Sequence, residues 1–364
     1  MKKLRHYFLY ALSAVAAYLA GSVIFVWATH WVPEQEIMPL RIHQFSTLYT
    51  IEDSIVRIAT WDVGYGALGE EADFRYDDEG IWTSGNNMVR YSSALVTKNM
   101  YGTMDFLDYT KADFYLLQEV DVSSDRSCRI KQWEIYHKVL TDYSTVFAPD
   151  YQCNRVPIPL LEPWNTLGKV YSGLGILSRY QPSIALRYQL PGQYPLPDRL
   201  FQREPCVVMC RFPTRWGNDL VLFNIHHSAY DPGGKMKALQ LPYLHNLAMS
   251  EYEKGNYVVI GGAWNQCPPN IRFDAYVPEK IQENGLNNVP KDFFPKDWRY
   301  VYDPTTPTHR KTCRPYIKYE TFETLTDFFL ISPNVRVRKV HGVQQRFRYS
   351  DHQPVTMDIV FSTK

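Results

Sequence analysis

Acidic, amide and imidazole side chains recur where short apolar runs of the sequence end: Asp62, Glu119, Asn224 with His226, Asn265, Asp327, and the adjacent pair Asp351 and His352. Carboxylates are the usual ligands of hard cations, and histidine exchanges a proton near neutral pH. Taken singly, each position is ordinary, because a carboxylate or imidazole at a strand end usually faces water or caps a turn. Strand ends on one rim of a sheet converge in space, however, so the set can assemble a single site.

The elements that must position these groups read as strands. β-branched and aromatic residues concentrate in Val56 to Trp61, Phe114 to Leu117, Leu174 to Leu177, Cys206 to Phe212, Leu220 to Ile225, Tyr257 to Ile260, Phe328 to Ile331 and Pro354 to Phe361. Helical spacing appears in Met88 to Leu107 and in Lys235 to Glu253, the second closed by Gly255. Pro242 inside that pattern is expected to kink the helix or mark its first turn. Strand-rich segments with a few helices indicate an α/β fold, most simply two packed mixed β-sheets flanked by helices.

Ahead of these elements, Lys2, Lys3, Arg5 and His6 precede an uncharged apolar run from Tyr7 to Ala28, long enough to cross a bilayer as a helix. Residues 1–28 are therefore expected to be an uncleaved signal-anchor, or a signal peptide if Val26-Trp27-Ala28 serves as a cleavage site. The basic flank puts the N-terminus in the cytoplasm and the rest outside, membrane-anchored, or secreted after cleavage. Residues 29–54, with Pro33 and Pro39 and no period, read as a juxtamembrane linker, and 55–364 as the folded domain.

Bulk properties narrow the function. Lysine plus arginine number 39 against 38 acidic residues, a net charge of +1, without the basic excess usual in dedicated nucleic-acid binders. At 45% hydrophobic and 21% charged, with no repeat, the chain reads as globular. Cys128, Cys153, Cys206, Cys210, Cys267 and Cys313 are open to disulfide pairing or to burial as thiols, and no Cys/His spacing suggests structural zinc.

In order along the chain stand Ala59-Thr60-Trp61-Asp62, Leu116-Leu117-Gln118-Glu119-Val120, Tyr171-Ser172-Gly173-Leu174-Gly175-Ile176, Asn224-Ile225-His226, Gly261-Gly262-Ala263-Trp264-Asn265, Thr326-Asp327-Phe328-Phe329-Leu330 and Ser350-Asp351-His352-Gln353-Pro354-Val355. This ordered series resembles the endonuclease/exonuclease/phosphatase superfamily, which includes pancreatic deoxyribonuclease, abasic-site endonucleases and neutral sphingomyelinases. The resemblance covers about Val56 to Val360. It implies a four-layer sandwich and a cation, Mg2+ or Mn2+, beside a phosphate ester. Glu119 matches the metal-binding glutamate, Asp351 would support the metal or orient its waters, and Asp62 stands at a further metal or catalytic position. His352 matches the histidine that contacts the phosphate or takes a proton, with Asp327 orienting it. His226 matches the second histidine, a donor to phosphate or leaving group; Asn265 matches the asparagine that holds the phosphate, and Tyr171 an active-site tyrosine of the nuclease branch. His227 is expected on the opposite face, in a structural role.

Two positions depart from the family pattern. Asp62 stands where asparagine is usual, adding a charge and removing amide donors. In place of Gly-Asp-x-Asn the sequence has Gly262-Ala263-Trp264-Asn265, so the aspartate that would help activate the attacking water is absent. The expectation is a metal-dependent phosphoester hydrolase, nuclease- or sphingomyelinase-like, weakened by Ala263; the alternative is an inactive module that binds a phosphate ester or lipid. The substrate is a lipid head group or a nucleic acid, and no protein partner is inferable. The cluster Arg336, Arg338, Lys339, Arg346 and Arg348 is a further candidate contact for polyanions.

Overall fold

The computed structural model describes residues 2–74, 82–85, 87–196, 198–228, 231–271 and 288–361; the ends of the expected spans, at 1 and 362–364, lie outside them. Four helices are α1 (Lys2–Ala28), α2 (Ser93–Thr110), α3 (Gln132–Val139) and α4 (Lys235–Glu253). One seven-stranded sheet has the spatial order β15 (Val335–Gly342), β16 (Val355–Phe361), β3 (Val56–Asp62), β4 (Phe114–Asp121), β6 (Gly168–Ser178), β5 (Ser144–Val156) and β2 (Ile42–His43). The other runs β1 (Ile37–Pro39), β7 (Ile184–Gln189), β8 (Cys206–Phe212), β9 (Leu220–His226), β10 (Tyr257–Ala263), β14 (Asp327–Ile331) and β11 (Arg299–Val301). A small ribbon of β12 (His309–Arg310) and β13 (Glu323–Thr324) lies beside them.

Alternation along each strand sorts side chains onto opposite faces of its sheet. Val56, Ile58, Phe114, Leu116 and Ile176 of the first sheet join Val208, Leu222, Val259 and Phe329 of the second in one buried core. The outer face of the first sheet packs Trp61, Tyr115 and Leu117 against Val96, Met100 and Phe106 of α2 and Trp133 of α3. That of the second packs Val207, Phe223, Ile260 and Phe328 against Leu241, Leu244 and Ala248 of α4. The order helix, sheet, sheet, helix is the expected four-layer α/β sandwich.

Local chemistry explains the helix ends. The Ser92 hydroxyl accepts from the Leu95 amide, 3.3 Å, to start α2, later than the Met88 expected from sequence. Asp231 accepts from the Met236 and Lys237 amides at 3.0 and 2.8 Å at the head of α4. That helix runs through Pro242 from Lys235, so the proline is not its first turn.

Residues 29–54 are not simply a linker. β1 pairs with β7, Ile37 opposite Tyr188, and β2 with β5, Ile42 opposite Val146, while Ile51 is buried and bridges to Thr214. Sheet edges present unpaired N–H and C=O groups, and the extended chain leaving α1 satisfies both edges in passing. The basic cluster has a similar origin: Arg336, Arg338 and Lys339 lie exposed on β15, the opposite edge, where charge discourages edge-to-edge pairing. Cys206 and Cys210 are buried thiols inside the inter-sheet core. α1 is long and apolar enough to cross a membrane.

Asn224 makes a polar contact across the core. Fully buried Asn224 of β9 donates to the carbonyls of Leu117 and Gly175 in the opposite sheet, both at 3.0 Å, and accepts from Gln118 Nε2 at 2.6 Å. Its removal strands buried polar groups, each worth about 1–3 kcal/mol. Asn224→Ala is therefore expected to lower the unfolding free energy by about 2–4 kcal/mol in urea titrations of the detergent-solubilised chain; an unchanged midpoint would show the contact to be dispensable.

Candidate active site

β3 runs parallel to β4, and β9 to β10, so their C-terminal ends meet at one rim. Asp62 closes β3, Glu119 lies near the end of β4, His226 closes β9 and Ala263 closes β10. Antiparallel neighbours bring their starts to the same rim: Asp327 opens β14 opposite Ala263, and the turn bearing Asp351 and His352 leads into β16. The turn is latched to β3, with Trp61 Nε1 donating to the His352 carbonyl at 2.9 Å and Ser350 Oγ to the Asp62 carbonyl at 2.8 Å.

Three groups from three strands face each other. His226 Nε2 lies 3.7 Å from Asp62 Oδ2 and 3.9 Å from Glu119 Oε1. Glu119 reaches them because β4 bulges between Leu117 and Val120, with Glu119 itself at φ 54°; a bulge re-aims the side chain it carries. Burial, followed by the charge of Glu119, pushes the Asp62 carboxyl up to about 6. Burial acts on Glu119 in the same direction, but Arg203, His226 and Arg126 together outweigh it and hold that carboxyl below its usual range.

A second unit stands beside them. His352 Nδ1 is 2.8 Å from Asp327 Oδ2, and both residues are buried. Burial alone would depress the imidazole, yet Asp327 and Asp62 together keep its pKa well above the ordinary value, so the ring is an imidazolium near neutral pH. Holding Nδ1 leaves Nε2 for a ligand. His309 stacks on this ring at 4.4 Å, and burial pushes its own pKa well down, so it packs as a neutral ring. Asp351 Oδ1 accepts from Ser350 Oγ at 3.3 Å. Burial, with the charges of Asp62 and Glu119 adding to it, raises the Asp351 carboxyl to about 8.

The other expected residues divide. Asn265, buried at φ 50°, donates from Nδ2 to the His227 carbonyl at 2.7 Å, which fixes it just beyond Ala263. His227 packs edge-on against Trp264 at 5.6 Å, and burial drops its pKa to about 3, as a structural neutral ring requires. Tyr171 rests against Phe147 at 6.2 Å, and among the described residues no contact joins it to Asp62, Glu119 or His352. Ala263 is buried with His226 and Asp327 as its two cross-strand neighbours, so an acid there would lie between both histidine systems.

Two participants were missed from sequence. Arg203 pairs with Glu119 and, at 3.0 Å, with Asp150, whose Oδ2 also lies 3.7 Å from His226 Nδ1. Burial opposes ionisation of Asp150, but Arg203 and His226 together more than offset it and take the pKa to about 2. An aspartate in the middle of a strand, and an arginine in the Arg203-Glu204-Pro205 lead into β8, were the available signals.

Ligand atoms of Asp62, Glu119 and His226 all lie within 4.8 Å of one another. Two carboxylates suit a hard divalent cation. The two carboxylates thus fit a divalent cation, which Glu119 would hold with Asp62 beside it.

A four-layer sandwich with acids and imidazoles gathered on one rim defines a phosphoesterase-like fold. Residues 96–352 match the model of the Endonuclease/Exonuclease/phosphatase family, and the chain belongs to that family. Among solved structures it is similar to an endonuclease/exonuclease/phosphatase from Beutenbergia cavernae DSM 12333, at 16% identity and a TM-score of 0.55 over 85% of this chain and 72% of that one. ANGEL2, a 2',3'-cyclic phosphatase in complex with adenosine-2',3'-vanadate, is 13% identical with a TM-score of 0.53 over 89% and 99% of the two chains. The human Nocturnin catalytic domain with bound sulfate is 13% identical, with a TM-score of 0.50 over 89% and 99%. No curated protein sequence matches the chain.

The raised carboxyls set a pH dependence. Because the folded pKa values of Asp62 and Asp351 lie above those of an unfolded chain, their stabilising contribution is complete below about pH 4 and is lost as pH rises through about 6 and about 8. A cation needs those protons gone and relieves the repulsion they mask. Added Mg2+ or Mn2+ is expected to raise the melting temperature little at pH 5 and by about 5 °C at pH 8 at a hundredfold excess over Kd. Glu119→Gln should abolish the shift; a shift independent of pH, or one that survives Glu119→Gln, would place the cation elsewhere.

Proposed function

We propose that the protein is a metal-dependent phosphoester hydrolase, held by α1 on the outer side of a membrane, in which Asp62 replaces the acid absent at position 263. The observation that carries this reading is the pairing of the His352–Asp327 unit, at 2.8 Å, with the Asp62, Glu119 and His226 group on one rim. A bound Mg2+ or Mn2+ ion, for which Glu119 is the principal ligand, would supply positive charge against the phosphate oxygens. The His352 imidazolium donates from Nε2 to the same phosphate, in a buried setting where such donors are strongest. Water attacks phosphorus as the ester P–O bond breaks. Its proton goes to Asp62, whose pKa of about 6 suits a base working near neutrality. The leaving oxygen takes a proton from His226.

A second reading has its own support: Arg203 already clasps Glu119, and Ala263 offers no acid, as in a module that binds phosphate esters without turnover. Hydrolysis of bis(p-nitrophenyl) phosphate by the full chain in detergent separates the two. Turnover is expected to require Mg2+ or Mn2+, to fall at least about a hundredfold in Asp62→Asn, and to rise in Ala263→Asp. Absence of turnover with every metal in the unaltered chain, with activity appearing only in Ala263→Asp, would establish the binding module.

A further inference from the structure

The stripe Tyr18, Ser22 and Val26, spaced four apart along α1, packs against the domain instead of standing clear of it; Ser22 and Val26 are buried. Val26 joins Tyr151, Cys153, Val156, Val170 and Leu200 in a separate apolar cluster. Eight residues further in, the Tyr18 hydroxyl accepts from Arg155 Nη2 at 3.4 Å, and the same nitrogen donates to the Pro163 carbonyl at 3.3 Å. The portion of α1 clear of the domain, Leu4 to Ala17, is about 21 Å long, short of the roughly 30 Å hydrocarbon core of a bilayer. If α1 spans a membrane, the flank of the domain level with Tyr18 must enter it.

That flank has the composition immersion requires. Leu161 and Trp164 border Pro163 and are 50% and 79% exposed, and Trp82, 57% exposed, is tied to them through its carbonyl, which accepts from the Leu161 amide at 2.9 Å. Tryptophan prefers the boundary between headgroups and hydrocarbon, and an arginine there can extend its guanidinium toward phosphate. The candidate site lies at the next level outward. Val26, about 12 Å along the helix from Tyr18, shares an apolar cluster with Tyr151, over whose ring Arg203 sits at 5.5 Å.

From this placement we infer that the turn bearing Leu161 and Trp164, with Trp82, is sunk in the outer leaflet, and that the site takes a lipid phosphodiester from that leaflet. The inference rests on the anchored-hydrolase reading above and adds its substrate class.

Its test uses the full chain in phosphatidylcholine vesicles whose acyl chains are brominated near the headgroup. Bromine quenching of tryptophan emission is expected to fall measurably in Trp164→Phe and again in Trp82→Phe. Equal quenching in the unaltered chain and both variants overturns the immersion, whatever the activity. Separately, Leu161→Ser combined with Trp164→Ser is expected to slow hydrolysis of vesicle phosphatidylcholine about tenfold while leaving bis(p-nitrophenyl) phosphate hydrolysis unchanged. Cleavage of DNA with no turnover of phosphatidylcholine overturns the lipid assignment. Quenching as expected with no phosphoester hydrolysed at all supports the immersion and overturns the hydrolase reading alone.

Discussion

Asn224 reaches from β9 across the core to Leu117, Gln118 and Gly175, and this contact fixes how the ends of the two sheets stand relative to each other. Apolar packing between sheets is tolerant of small slides, since many pairings of Val, Leu, Ile and Phe fill space about equally well. A buried amide is not tolerant, because a slide would leave it without partners. The site depends on that register: Asp62 and Glu119 belong to one sheet, His226 and Asp327 to the other, and their separations are a few ångströms.

The rim gathers more negative charge than burial permits without compensation. Asp62, Glu119, Asp150, Asp327 and Asp351 are all packed into it, and the protein answers with two counter-charges and one protonated acid. Arg203 neutralises Glu119 and Asp150; the His352 imidazolium neutralises Asp327; and Asp351 is held protonated at neutral pH. Below them, buried Arg126 neutralises Asp121 at 2.9 Å and lies 3.7 Å over the ring of Tyr65. Burial, with the charge of neighbouring carboxylates, keeps the pKa of Asp62 raised as it does that of Asp351. A divalent ion would compete with Arg203 for Glu119, so the arginine and the cation are alternatives at one carboxylate.

The strands that carry the rim were legible because their residues are apolar on both faces, as expected of strands covered by a sheet on one side and a helix on the other. β5 and β15 were not, for different reasons. β5 contains Pro149, Asp150 and Asn154 and bulges twice, which breaks the period-two pattern. β15 is a charged edge whose exposed residues read as a basic loop. His352, Asp327, Glu119, Asp62 and His226 were found through an ordered motif series that lies on strand ends. Arg203 and Asp150 lie outside any motif, and only the fold shows that β5 and the lead into β8 approach Glu119. β1 and β2 escaped notice because two or three residues of edge pairing leave no periodic signal.

The connection from helix to site is short. Past Ala28 the chain places His30 Nε2 3.7 Å from Glu204 Oε1 and Trp31 at 5.6 Å from the Arg187 guanidinium, which donates to the Glu204 carbonyl at 3.0 Å. The Glu204 amide donates to the Asp150 carbonyl at 2.7 Å, and Arg203 precedes it in sequence. The segment that holds the counter-charge of Glu119 is thus pinned between the exit of α1 and the strand β5. A helix on a flexible tether would leave the domain free to tumble; α1 packs along the domain, and anchored in a membrane as proposed it would set both the depth and the facing of the rim. The same contacts make the position of Arg203 dependent on how α1 is seated, so whatever supports the helix along its length also supports the electrostatics of the site.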